Sequence, residues 1–237
     1  MNNFKKKEYK ISDIVSTVSH QLKTPLSIIK GCLEILSSKD LGELNKKQKE
    51  CLNDALENTE RMNSLIKNLL NISKIEEDEL EIKPELSDLK EIIKKIINNF
   101  YALSKAKNCT ISFKVLNKVP LMLFDPLKIE QVVINIISNA IFYNKGEGFI
   151  EVFLEKKDNE LLFSCKDNGL GVANDEKEKI FKKFYRSEKT IFLNVSGSGL
   201  GLFISKAIVE KSNGKIWFES EENKGTTFYF SLPIIKK

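Results

Sequence analysis

The sequence predicts an α+β chain in two parts: a helical hairpin that pairs into a dimeric four-helix bundle, then a sheet covered by helices. Three observations carry this. Residues 10–38 and about 45–75 repeat apolar side chains at helical spacing, and beyond residue 86 helical stretches alternate with runs of two-residue period. The 237 residues are 41% hydrophobic and 30% charged. That suffices for one or two packed domains and is too mixed for a disordered chain.

In the first helix Ile11, Val15, Val18, Leu22, Pro25, Ile29, Cys32 and Leu36 follow one another at alternating spacings of four and three, a heptad seam. Ile14, Leu26, Ile28, Leu33 and Ile35 widen the stripe beyond what a two-stranded coil buries, which suits a bundle. Ser37 to Leu44, with Gly42, read as a turn. Leu52, Ala55, Met62, Ile66 and Leu69 continue the pattern in the second helix. Such a hairpin lacks partner surface, and dimerisation supplies it. Glu76 to Glu81 are acidic and Pro84 follows, which places a boundary near residues 78–86 and divides the chain into 1–80 and 81–237.

Asp88 to Lys105 read as a helix, Thr110 to Leu116 as a strand, and Leu121 to Phe124 as a short apolar run. Asp125 caps and Pro126 opens a helix running to about Asn144. Strands are expected at 149–156, 160–166, 215–220 and 226–232, with a helix over about 200–212.

The charge balance excludes some functions. Residues 1–86 hold 14 basic and 15 acidic side chains, and residues 87–237 hold 24 and 18. The surplus is too dispersed to make nucleic acid the default partner. It mildly favours an anionic ligand in the second part, and an ordinary solvated surface explains it too. Cys32, Cys51, Cys109 and Cys165 form no CxxC pair and meet a single histidine, so zinc and a disulfide framework are not expected. Reduced, core-type cysteines in a cytoplasmic protein are expected instead. No apolar run is long enough to span a bilayer, and no signal-peptide core is seen, so no membrane contact is expected within the chain. Lys5 to Lys7 fit a solvated start or the cytosolic flank of a membrane segment outside this sequence.

His20 falls opposite the seam, and Thr24 shares its exposed surface one turn later. A lone exposed histidine is ordinarily a surface residue, but Pro25 removes a helix hydrogen bond beside it. Asp167-Asn168-Gly169-Leu170-Gly171 follows a strand, and its glycines would let the backbone approach a flat ligand. A carboxylate accepts from an exocyclic amine, yet a plain turn explains the pattern as well. Gly197-Ser198-Gly199-Leu200-Gly201-Leu202 opens a helix whose free amides suit phosphate oxygens, although its alternating glycines match neither a dinucleotide fingerprint nor a P-loop. Asn135 and Asn139 share one helix face. They form either a packing or cap network or, through an amide oxygen, part of a Mg²⁺ shell.

Taken together these residues resemble the sensor histidine kinases. Ser19-His20-Gln21-Leu22-Lys23-Thr24-Pro25-Leu26 is similar to the phosphoacceptor box, and Asn135 to Ala140 to the N box. Asp167 to Gly171 resembles the first glycine box, Phe181 to Arg186 the F box, Gly197 to Leu202 the second glycine box, and Gly225 to Phe228 the last one. Six motifs in the family's order cover nearly the whole chain.

The resemblance implies a dimeric phosphotransfer hairpin before an α/β-sandwich ATP-binding domain of the histidine kinase/gyrase (GHKL) type. ATP and Mg²⁺ would serve phosphorylation of His20, and the phosphoryl group would pass to an aspartate of a response regulator. Asp167 would meet the adenine amine, with Gly169 and Gly171 shaping that wall. Asn139 would ligate Mg²⁺, with Asn135 beside the phosphates. Gly197, Ser198, Gly199, Leu200 and Gly201 would offer backbone contacts to the phosphates. Tyr143 and Tyr185 would line the pocket, Arg186 would approach the γ-phosphate, and residues 172–196 would form a lid. Thr24 would orient a water for dephosphorylating the regulator.

Two departures stand out. Gln21 replaces the usual carboxylate after the histidine, so it can hold Nδ1–H but not take its proton. Phe142 stands where the N box often carries a cation, which leaves Lys145 as a possible substitute. Two other readings fit part of the pattern. Gyrase-like ATPases and heat-shock chaperones share the glycine boxes but gate a clamp. A degenerate kinase would dimerise and bind nucleotide without chemistry.

Overall fold

The computed structural model describes residues 11–38, 41–187 and 197–235, with the side chains of residues 11–14, 16 and 20 outside that set. The chain divides into two compact units, Met1–Leu80 and Glu81–Lys237.

In the first unit α1 (Ile11–Ser37) packs on α2 (Lys46–Glu76). Asn45 caps α2 reciprocally: its side chain accepts from the Gln48 amide, and the Gln48 side chain accepts from the Asn45 amide, both at 2.9 Å. Lys30 Nζ reaches Glu60 Oε1 at 3.2 Å to tie the helices. Among the described side chains of α1, Ser19 and Leu26 are buried, whereas the seam residues Val18, Leu22, Ile29 and Leu36 remain between 43% and 49% exposed. A single partner helix covers only a narrow strip, so the heptad line itself is left open. Cys32 and Cys51 are exposed for the same reason, which corrects the expectation of four core-type cysteines; Cys109 and Cys165 are buried, and all four are free.

The second unit runs β1 (Glu85–Ser87), α3 (Leu89–Ala106), β2 (Cys109–Val115), β3 (Met122–Phe124), α4 (Pro126–Phe142), β4 (Gly148–Lys157) and β5 (Glu160–Asp167). A 3₁₀ turn at Asn174–Glu176 leads on to α5 (Gly201–Lys211), β6 (Lys215–Glu221) and β7 (Gly225–Pro233). Asp88 caps α3 by accepting from the Lys90 amide. Asp125 caps α4 through Lys128 N and also accepts from Lys83 N with its second oxygen. The strand β1, absent from the sequence reading, pairs antiparallel with β3, Leu86 opposite Leu123.

The main sheet has the order β2-β4-β5-β7-β6, antiparallel except for the β2–β4 pair, where Ile111 lies opposite Ile150. Along β4, Ile150, Val152 and Leu154 are buried while the residues between them are partly exposed, the two-residue period of a sheet with one covered face. That face meets Ile93 and Ile96 of α3, Ile129, Val133 and Ile136 of α4, and Ile204 and Ile208 of α5. Phe163 and Phe230 stack within the sheet at 4.7 Å. On the open face Trp217 stacks on Tyr229 at 5.3 Å, with ring planes 10° apart.

Candidate functional site

The C-terminal end of α4 builds one wall of a cleft. Tyr143, its C-cap, donates its amide to Asn139 O, and its own carbonyl accepts from Leu170 N at 2.9 Å. The Leu170 carbonyl in turn accepts from Asn223 N at 2.7 Å. Three chain segments are thereby laced together: the end of α4, the loop after β5 and the β6–β7 turn. Two glycines make the lacing possible. Gly171 (φ +64°) lies against the Glu221 carbonyl and Gly225 (φ +112°) against the Asp167 carbonyl, where a Cβ would collide with backbone. The sequence reading gave Gly169 and Gly171 to close approach of a ligand. In the structure Gly169 approaches the Tyr143 carbonyl and does not line the cleft.

The cleft is open to solvent and holds a cavity of about 100 Å³. Asp167 and Thr226 form a polar floor, and Leu170, Ile180, Leu202 and Phe228 supply apolar walls. Asp167 is only 8% exposed. Its Oδ1 accepts from Gly169 N at 2.9 Å and Thr226 N at 3.1 Å, which leaves the second oxygen for a ligand. Burial pushes its carboxyl up to about 6, against the pull of those two amides. Asn139, Tyr143, Gly171, Tyr185 and Arg186 also line the cleft. Burial raises the Tyr143 phenol, and the Arg186 guanidinium beside it lowers it in part. The Tyr185 hydroxyl donates to Glu176 Oε1 at 3.0 Å.

Other expected residues stand outside the cleft. Asn135 Nδ2 donates to Ser205 Oγ at 3.0 Å, between α4 and α5. Gly199 (φ +71°) packs its α-carbon against the backbone of Phe184 and Tyr185, which seats the glycine loop on the segment Phe181 to Arg186. Leu200 is buried and caps α5 without a side-chain hydrogen bond, while no described residue comes near a Cβ placed at Gly197. Ser198 is half-buried, and Gly201 meets the Asn135 side chain. Lys145, the substitute considered for the cation missing at Phe142, donates to Asn223 Oδ1 in the β6–β7 turn. Of the expected lid, residues 188–196 lie outside the described set.

In the first unit Gln21 and Thr24 are exposed on α1. His20 belongs to the same helix, with its side chain outside the described set. Among the described residues no group of His, Cys, Asp and Glu is arranged to hold a metal ion by itself. No helix among them is long and apolar enough to cross a membrane. Sequence reasoning missed Thr226, Glu176 and Glu222. Thr226 stands inside the quoted Gly225 to Phe228 motif, but only the fold shows its amide on Asp167.

Comparisons with known proteins agree with this arrangement. The family model described as histidine kinase-, DNA gyrase B-, and HSP90-like ATPase matches residues 124–236. The His Kinase A (phospho-acceptor) domain model matches residues 10–78. The chain is 38% identical over 226 residues to the sensor protein kinase WalK of Staphylococcus saprophyticus, covering 93% of this chain and 36% of that protein. It is 36% identical over 223 residues to WalK of Staphylococcus aureus, covering 93% and 53%. The chain thus spans about a third to a half of the length of these relatives. Among solved structures, the catalytic domain of histidine kinase ThkA aligns with a TM-score of 0.56 at 30% identity, covering 65% of this chain and 97% of that one. Full-length ShkA in complex with AMPPNP shares the fold with a TM-score of 0.78 at 22% identity, covering 95% of this chain and 46% of that one. ThkA in complex with the response regulator protein TrrA aligns with a TM-score of 0.60 at 25% identity, covering 94% and 61%. With a phospho-acceptor helix pair ahead of a sheet unit that holds the cleft, and with matches of this kind along both, the chain belongs to the sensor histidine kinases.

Proposed function

We propose that the chain phosphorylates His20 from ATP and passes the phosphoryl group to an aspartate of a partner response regulator. With Thr24, it also dephosphorylates that regulator. Residues 1–80 would serve as the phosphotransfer domain and 81–237 as the ATP-binding domain. The observation that carries the reading is Asp167. A buried carboxylate with one oxygen pinned by two amides and the other turned to a cleft asks for a donor. The exocyclic amine of adenine is such a donor, whereas a carbonyl at that place would set two acceptors against each other. Leu170 and Phe228 suit the faces of the base, and Arg186 suits a phosphate. The AMPPNP bound by ShkA and the regulator bound by ThkA support the same assignment.

Asn139 fits Mg²⁺: its side chain reaches the cleft and offers a hard amide oxygen to an ion that keeps waters and phosphates as further ligands. When bound, Mg²⁺ would neutralise phosphate charge. On the acceptor side, the Nε2 lone pair of neutral His20 would form the N–P bond. The bond from the γ-phosphorus to the bridging oxygen would break, and ADP would leave with that electron pair. The phosphoimidazole would then shed its Nδ1 proton. Gln21 can orient that N–H but not accept the proton, which passes to water instead.

The exposed seam of Val18, Leu22, Ile29 and Leu36 supports pairing of two hairpins into a four-helix homodimer. A cytoplasmic location accords with this chemistry, since ATP and response regulators are met there.

The test is incubation with γ-labelled ATP and Mg²⁺, comparing the parent with His20→Ala. Acid-labile, alkali-stable label on the parent alone is expected. ATP binding without label on either chain would favour the degenerate regulator to which Gln21 and Phe142 point. Phosphate release without self-labelling would favour the clamp ATPase.

A further inference from the structure

The helix pair α4–α5 carries a buried polar contact that lies outside the cleft. Ser205 is 1% exposed, on a face of α5 otherwise made of Ile204, Ile208 and Val209. An apolar side chain would ordinarily occupy such a place. Its Oγ instead accepts from Asn135 Nδ2 at 3.0 Å. At the other end of that amide, Oδ1 lies against the α-carbon of Gly201, so closely that any Cβ there would collide with it. An amide with its nitrogen held on one side and its oxygen wedged on the other has one orientation of the two available.

The position of this amide along α4 gives it meaning. Asn139 lies one turn and Tyr143 two turns further toward the C-terminus, roughly 6 and 12 Å along the axis. Tyr143 belongs to the wall laced to the Asp167 loop. Asn135 therefore stands at the far end, beside the start of α5, where Leu200 provides no side-chain cap for the first amides. A nucleotide with its base at Asp167 would carry its outermost phosphate toward this end. Asparagine is itself a favoured helix cap. Released from Ser205, the amide of Asn135 is free to turn onto those amides and compete with the phosphate.

We infer that Ser205 is a positioning residue, holding Asn135 in the orientation that leaves the first turn of α5 open to the terminal phosphate of ATP. The inference rests on the ATP reading above. Its signature is selectivity: losing the hydroxyl should weaken binding of a triphosphate and spare a diphosphate, which a general loss of packing would not do.

The experiment measures affinity for AMPPNP and for ADP, both with Mg²⁺, on the full 237-residue chain, together with its melting temperature. Ser205→Ala is expected to weaken AMPPNP by about tenfold while ADP stays within about twofold, the size of one lost buried hydrogen bond. Ser205→Thr, which keeps a hydroxyl, should restore the parental ratio. Equal losses for both nucleotides, or none, with parental binding intact, would overturn the inference alone. A parent chain that binds neither nucleotide would overturn the ATP reading and this inference with it.

Discussion

The hairpin and the sheet unit bury apolar surface in opposite ways. In the sheet unit Ile93, Ile129, Val132, Ile136, Val152 and Phe163 are fully buried. In the hairpin the heptad residues Val18, Leu22, Ile29 and Leu36 stay nearly half exposed. The functional groups follow the same division. Gln21 and Thr24 stand on an open helix surface, where a side chain can change without disturbing the backbone. The Asp167 site is made of backbone segments that meet with no room for a Cβ. Substitutions in the hairpin should therefore alter chemistry first, and substitutions around the cleft should alter the fold first.

The largest effect should come from Gly225→Ala. At φ +112°, with the Asp167 carbonyl against its α-carbon, the added methyl is expected to cost about 3 kcal/mol or more, as strained backbone and steric overlap combine. A urea unfolding midpoint unchanged from the parent would break the comparison. Gln21→Glu should do the reverse, leaving that midpoint in place and raising the autophosphorylation rate by about a hundredfold, the usual scale of a general base. Equal initial rates of label uptake would show that the proton is not the slow step.

Asp167 sharpens the contrast through pH. Its carboxyl sits near 6 in the fold against an ordinary 3.8, so the folded chain holds that proton more tightly than the unfolded one. Stability at this site should thus be greatest below pH 4 and fall as pH rises through 6. Nucleotide affinity should move the other way, weakening below about pH 6 as the acceptor is protonated. In Asp167→Asn both trends should flatten, and a parental pH profile of stability in that variant would assign the titration to another group. The smallest effect belongs to the hairpin. Nothing surrounds a Cβ placed at Gly31, inside α1, and Gly31→Ala should stabilise by about 1 kcal/mol through helix propensity. Destabilisation, seen as a lower melting temperature, would mean that a second chain packs closely on that position.

Most elements were legible because they carry their own period and punctuation. Asp125-Pro126 marks the start of α4, and the alternation of Ile150, Val152 and Leu154 marks β4. The three-residue strand β1 was not, since it is too short to show alternation and is fixed by pairing Glu85 with Phe124 across nearly forty residues. In the same way the motifs pointed to Asp167, Asn139 and Arg186, which the fold brings together along one cleft. The partners that decide how they act were not legible. Asn135 meets Ser205 seventy positions away, Lys145 donates to Asn223, and Gly169 lies against the Tyr143 carbonyl. Local spacing reports which face a side chain occupies, and only the closed fold reports what stands opposite.

The stacked pair on the open face of the sheet has a spectroscopic consequence. Trp217 is the chain's one tryptophan, held against Tyr229. Its emission therefore reports the sheet unit that holds it, whereas helical circular dichroism draws on α1 and α2 as well. Two probes on one unlabelled sample would separate two cooperative transitions. If two hairpins must associate to be stable, diluting the sample should lower the dichroism midpoint and leave the emission midpoint where it was.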